Sequence, residues 1–188
     1  MDQPQGRISS NNSLPHPTSA KMMSDDFSPD DAINDCEHRL QIAQGYYELQ
    51  MFDDARRELR EVELDFSRNP SVLQMKILLI LKEERWEDAL TLSEQLRSLA
   101  PEGGASFIHG AFCLHELDRT LEAVELLLDG PDSLQDEPIF HYNLGCYQAA
   151  IGALEDARQC LRKSFNLDER LVDVARKDPD LKLLQDLL

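Results

Sequence analysis

Aromatic residues make up only 6% of this 188-residue chain, Lys and Arg number 19 against 36 Asp and Glu, and four cysteines show no Cys-x-x-Cys spacing. Each shortage excludes something. With so few positive charges the formal net charge is -17, and a surface that acidic repels phosphate backbones and anionic headgroups within the Debye length. Nucleic acid and membrane surfaces are therefore not expected partners. No window approaches the run of about twenty apolar residues that a membrane-spanning helix needs, and the first residues lack a continuous apolar stretch, so the expected address is cytoplasm. Cys36, Cys113, Cys146 and Cys160 are expected to be reduced, since their spacing supports neither a disulfide framework nor a zinc site. Glycine and proline are sparse beyond the first thirty positions, which leaves Leu, Ala, Glu, Asp, Arg and Gln to dominate a composition that favours helix.

Signatures of catalysis are absent as well. His109 and His115 are six apart, which does not place both on one helix face as a metal pair would need, and neither sits in His-Glu-x-x-His. No Gly-x-Ser-x-Gly elbow, phosphate-cradling glycine loop or dinucleotide fingerprint occurs. The expectation is a chain that is not an enzyme and carries no cofactor or metal.

What is present is a period. "DDARREL" at Asp53–Leu59 and "EDARQCL" at Glu155–Leu161 share their acid-acid-Ala-Arg start, and the positions between them complete a series. Ala55, Ala89, Ala123 and Ala157 advance by 34 residues each time, the mark of a repeat architecture. Apolar residues at three- and four-residue spacing, broken at short intervals, read as antiparallel helix pairs. First helices are expected near residues 37–49, 71–84, 104–117 and 138–151, and second helices near 53–67, 87–99, 120–129 and 155–167. Pro70, Pro101 and Pro138 fall between pairs, where a missing amide donor does least harm. Acidic pairs at the start of second helices favour the exposed amides there.

Either side of this array the pattern changes. Residues 1–34 are expected to form a disordered tail, because the first thirty carry four prolines, six serines and few large apolar residues. Residues 169–188 break the period and should form two short helices, split before Pro179, that cap the last pair; Leu171, Val174, Leu181, Leu184 and Leu187 are the candidates for its covering side.

A 34-residue helix-turn-helix period with small residues at fixed places resembles the tetratricopeptide repeat family over roughly residues 36–169. In the fourth unit Leu144-Gly145, Gly152, Ala157, Leu161 and Ser164 take the family's places; the first supplies Ile42-Ala43, Tyr46, Phe52, Ala55 and Leu59, the second Leu73, Trp86, Ala89 and Pro101. Paired helices should approach most closely where Ala43, Ala111 and Gly145 face the recurring alanines. Ile77 stands where the other units carry Ala or Gly, so the second pair should be splayed or shifted. Gly130 and Pro131 should end the third unit's second helix early and leave a loop over residues 130–137.

The resemblance implies an all-α, right-handed superhelix (an α-solenoid) of four tetratricopeptide-type pairs over residues 35–168 with C-terminal capping helices over 169–188. It further implies a non-enzymatic adaptor whose concave groove holds a peptide or helix of a partner. The groove-facing places carried over include Gln44, Tyr47, Leu78, Leu81, Ile108, Phe112, His115 and Tyr142, with Leu40, Gln74, Cys146 and Ala149 beside them. Some relatives hold a heat-shock chaperone's terminal carboxylate with Lys, Arg and Asn at these places, and this chain has none there, so that clamp is not expected. An apolar or amphipathic protein segment with basic flanks suits an acidic groove better. The family's other implied use is a tetratricopeptide-type secretion chaperone that keeps an exported client soluble.

Overall fold

The first helix, α1 (Pro29–Glu48), opens on a capping box. The Ser28 hydroxyl accepts the Asp31 amide at 3.1 Å, the Asp31 carboxylate accepts the Ser28 amide at 3.2 Å, and Pro29 occupies the first helical position. In the computed structural model, which describes residues 28–187, these interactions start the helix ahead of the expected position and make residues 29–34 helical. The tail expected over residues 1–27 lies outside the described residues, as does the side chain of Leu187.

From α1 the chain returns through α2 (Phe52–Glu63) and repeats the hairpin three times. The pairs are α3 (Pro70–Leu81) with α4 (Trp86–Leu99), α5 (Gly104–Glu116) with α6 (Thr120–Leu128), and α7 (Pro138–Ala150) with α8 (Leu154–Leu167). No strand occurs among the described residues. Within each hairpin the turn is the same. Gln50, Glu84, Asp118 and Gly152 have φ of 60°, 57°, 60° and 84°, and they too succeed one another every 34 residues. In the first and last turns the following amide reaches back five residues, Met51 to the Tyr46 carbonyl and Ala153 to the Gln148 carbonyl, both at 2.8 Å. That bond ends the first helix with its carbonyls satisfied and aims the chain into the second.

Size fixes the closeness of each pair. Ala55, Ala89, Ala123 and Ala157 are all fully buried, as are Ala43 and Ala111 on the first helices. At Gly145 a methyl group would lie 2.8 Å from Leu161 Cγ and 3.3 Å from the Ala157 carbonyl oxygen, so the α7 and α8 backbones come as near as a bare hydrogen permits. Ile77 is also fully buried, with Leu73 and Leu96 around it, and the α3–α4 hairpin makes the least extensive contact of the four.

Unit three departs from the pattern as Gly130 and Pro131 require, because α6 stops at Leu128. The loop that follows is ordered, however: Asp132–Asp136 form a 3-10 turn and bury Leu134 to 1% exposure. A Cβ at Gly104 would lie 2.5 Å from Leu134, and one at Gly130 would lie 2.4 Å from it, so the two glycines make room for this side chain.

First helices touch one another along the array, α1 with α3, α3 with α5 and α5 with α7, and form its inner layer. After α8 come α9 (Leu171–Ala175) and a 3-10 segment, Pro179–Leu187. Ala175, Leu181 and Leu184 are fully buried and join the core of the last two units with Phe140, Leu144 and Leu161. Val174, by contrast, is 51% exposed and takes no part in that covering.

Candidate functional site

Among the described residues, one depression lies on the inner layer in each half of the array. The first, about 380 Å³, lies between α1 and α3 and is lined by Leu40, Gln41, Gln44, Gln74, Met75 and Leu78. No charged side chain lines it. Three amides surround three apolar residues, an arrangement that can take apolar side chains while hydrogen-bonding a backbone. Gln44 donates from Nε2 to Glu48 Oε1 at 2.8 Å, which places a carboxylate at one end, and the exposed Glu37 stands one helical turn before Gln41.

Tyr47 and Leu81 stand outside this trough. The Tyr47 ring is edge-on to Phe52, with centroids 5.5 Å apart, while the Lys82 ammonium lies 5.9 Å over its face. Burial raises the Tyr47 phenol pKa. Leu81 is half-buried against the apolar groups around Ile77 and Ile80. Periodicity alone did not single out Gln41 and Met75 as lining residues. Gln41 is three residues from Gln44 and Met75 is three from Leu78, so an i,i+3 reading of the two helix faces would have found both.

The second depression, about 370 Å³, is lined by Phe112, His115, Glu116, Tyr142, Cys146 and Tyr147 on the inner layer and by Val174 and residues 177–180 of the C-terminal segment. Phe112 is half-buried and edge-on to Trp86, with centroids 5.6 Å apart, while Ile108 packs against the core of units three and four. Tyr142 and Cys146, expected on an open groove, are 6% and 4% exposed. The chain itself covers them. Tyr142 donates its hydroxyl to Asp178 Oδ2 at 2.7 Å, and the Cys146 thiol donates to the same oxygen at 3.5 Å. Burial, then the hydrogen bond to Asp178, pushes the Tyr142 phenol up; burial, then the negative charge of Asp178, does the same to the Cys146 thiol. His115 Nε2 lies 3.0 Å from Asp180 Oδ2 and its Nδ1 lies 3.0 Å from the Thr120 hydroxyl. The imidazole rests on the Tyr147 ring at a centroid distance of 4.6 Å. Ala149 is 6% exposed.

Among the described residues no group of three or more His, Cys, Asp or Glu side chains could hold a metal ion, and no helix is long and apolar enough to cross a membrane. Burial lowers the pKa of His109. The four cysteines are free thiols, and burial pushes Cys113 up to about 12.

Four stacked hairpins with a first-helix inner layer and a short terminal cap are the architecture of a tetratricopeptide-type α-solenoid, and solved structures share it. The chain superposes on MamA from Desulfovibrio magneticus RS-1, residue 41 to the end, with a TM-score of 0.62 at 16% identity, covering 81% of this chain and 86% of that one. A MamA RS-1 double mutant designated ArsTM gives the same values. MamA MSR-1 C2 gives a TM-score of 0.54 at 20% identity over 72% of this chain and 78% of that one. At this identity the likeness is one of fold. No family model matches the sequence, and no curated protein does.

Proposed function

We propose that the chain is a non-enzymatic protein-interaction module that holds an apolar or amphipathic segment of a partner protein in the trough between α1 and α3. The observation that carries this reading is the lining of that trough: Leu40, Met75 and Leu78 supply an apolar floor, and Gln41, Gln44 and Gln74 supply uncharged polar edges. Glu48 and Glu37 lie at its margins in a chain of net charge -17, which favours basic residues flanking the bound segment. Tyr47 and Phe112 flank the trough and the covered half of the inner layer, where a longer segment would meet an aromatic face.

A peptide with leucines on one helical face and lysines at both ends tests the reading by fluorescence anisotropy. The full chain should bind it saturably, and Leu40→Glu/Leu78→Glu should weaken binding by about tenfold or more, the effect expected of truncating central anchors. Leu64→Glu, at a residue 90% exposed and outside the trough, should leave binding unchanged. Equal affinity in all three proteins would overturn the reading.

A further inference from the structure

A terminal cap needs only apolar cover, and Leu181 and Leu184 already provide it. The C-terminal segment does more than that. It lays two carboxylates on the inner layer of an acidic molecule, and each meets a polar partner aimed at it. Asp178 Oδ2 accepts from Tyr142 and Cys146, while its Oδ1 accepts the Asp180 amide at 3.0 Å. Asp180 Oδ2 faces His115 Nε2 at 3.0 Å. Pro179 between them has no amide to satisfy and biases Asp178 toward extended backbone. The acid-proline-acid step is thus read by groups from two different helices, α5 and α7, at the places where an inner-layer ligand would lie.

The segment is a 3-10 stretch with a non-helical residue, Leu184, inside it (φ -117°, ψ 19°), so its aspartates are held by side-chain hydrogen bonds on an irregular backbone, while Leu181 and Leu184 anchor it in the core. Its partner pocket holds a polar atom in reserve. Tyr147, only 2% exposed, lines the pocket, and its hydroxyl has no hydrogen-bond partner among the described residues.

We infer that the depression of units three and four is a second binding site, specific for a protein segment of the form acid-proline-acid followed by leucines, and that residues 178–180 hold its polar readers in cis while Leu181 and Leu184 fill the adjoining core. A partner segment of that chemistry enters by displacing the chain's own. The site is distinct from the α1–α3 trough, which is lined by amides, a hydroxyl and apolar groups, and it differs from a cationic clamp because a phenol, a thiol and an imidazole do the reading.

A labelled peptide of residues 176–185 is the probe, titrated into the full wild-type chain and into the full chain carrying Asp178→Ala/Asp180→Ala. Tethering gives the native segment a local concentration of about millimolar, so the wild type should bind the peptide weakly and the double variant about tenfold or more tightly. Alanine in place of both peptide aspartates should abolish the gain. Equal affinity of wild type and variant, indifference to the peptide's aspartates, or a wild-type dimer with exchanged segments would each overturn the inference. Should the double variant unfold, alkylation of the wild-type chain decides. Cys146, under Asp178, should react about tenfold or more faster than Cys113, which is exposed only by larger opening; equal rates would show that the segment does not lift by itself.

Discussion

Ile77 of α3 and Ser93 of α4 occupy the places that Gly145 and Leu161 hold in the fourth hairpin, with large and small exchanged between the facing helices. Gly145 leaves room for Leu161; in the second hairpin both equivalents, Ile77 and Ser93, are fully buried, and the Ser93 hydroxyl donates to the Ala89 carbonyl at 2.8 Å. Volume across the interface is kept while its distribution is inverted.

The exchange predicts compensation. Ile77→Ala alone should destabilise by about 2–5 kcal/mol through a cavity, and Ser93→Leu alone by about 1–3 kcal/mol through overpacking. Together they place a small residue opposite a leucine, one methyl larger than the Gly145–Leu161 pair, so each change relieves part of the other's cost and urea unfolding should show a favourable coupling of about 0.5–3 kcal/mol. Strict additivity would mean that the two residues do not share a site.

Two helix glycines should respond oppositely to the same change. Gly145→Ala forces its methyl against Leu161 and should cost about 1–3 kcal/mol. At Gly45, in α1, a methyl meets nothing within 4 Å, so alanine there should stabilise by about 0.5–1 kcal/mol through helix propensity alone. Thermal melts of the two variants check both signs.

The left-handed turns give a third test. Glycine tolerates φ near +60° without the penalty an L side chain meets, so Gln50→Gly and Glu84→Gly should each stabilise by up to about 1 kcal/mol, offset in part by the added freedom of the unfolded chain. Gly152→Val should destabilise for the same reason. If Gln50→Gly and Glu84→Gly both lower the midpoint of unfolding, side-chain contacts and not backbone geometry set these positions.

Acid sensitivity has an identifiable source. His141 is 4% exposed, and its Nε2–H donates to the Gln135 carbonyl at 2.9 Å. Burial, aided by the nearby Lys163 charge and opposed by the Gln135 carbonyl, holds its pKa below the ordinary 6.5; burial does the same to His109. The unfolded chain therefore takes up protons first as pH falls through 6.5, and stability falls with it; above 6.5 this contribution is complete. His109→Gln/His141→Gln should flatten the loss of unfolding free energy between about pH 7.5 and pH 5.5. An unchanged slope would assign that loss to the carboxylates.

Much of this fold was legible because it is specified by size and repetition. Four alanines at a spacing of 34 mark the closest approaches, and all four are buried without exposure. The start of α1 was legible too, but only to a reader of capping chemistry: Ser28-Pro29-Asp30-Asp31 is a helix opening, even though it sits in a stretch whose composition suggests a tail. The landing place of the C-terminal segment was not legible. It breaks the period, so nothing in the repeat pattern says which inner-layer positions it covers, and Tyr142 reads like any other groove position until Asp178 is seen beside it. The residues of the trough were half legible, since Leu40, Gln44, Gln74 and Leu78 follow from the repeat while Gln41 and Met75 depend on how α1 and α3 are rotated.

Leu134 acts as a shim. Wedged against Gly104 at the start of α5 and Gly130 just beyond α6, it fills the volume that a further turn of α6 would have taken and pins both open ends of that hairpin to one another. The irregular unit thereby keeps a closed hairpin end, with a core side chain where its shortened helix stops.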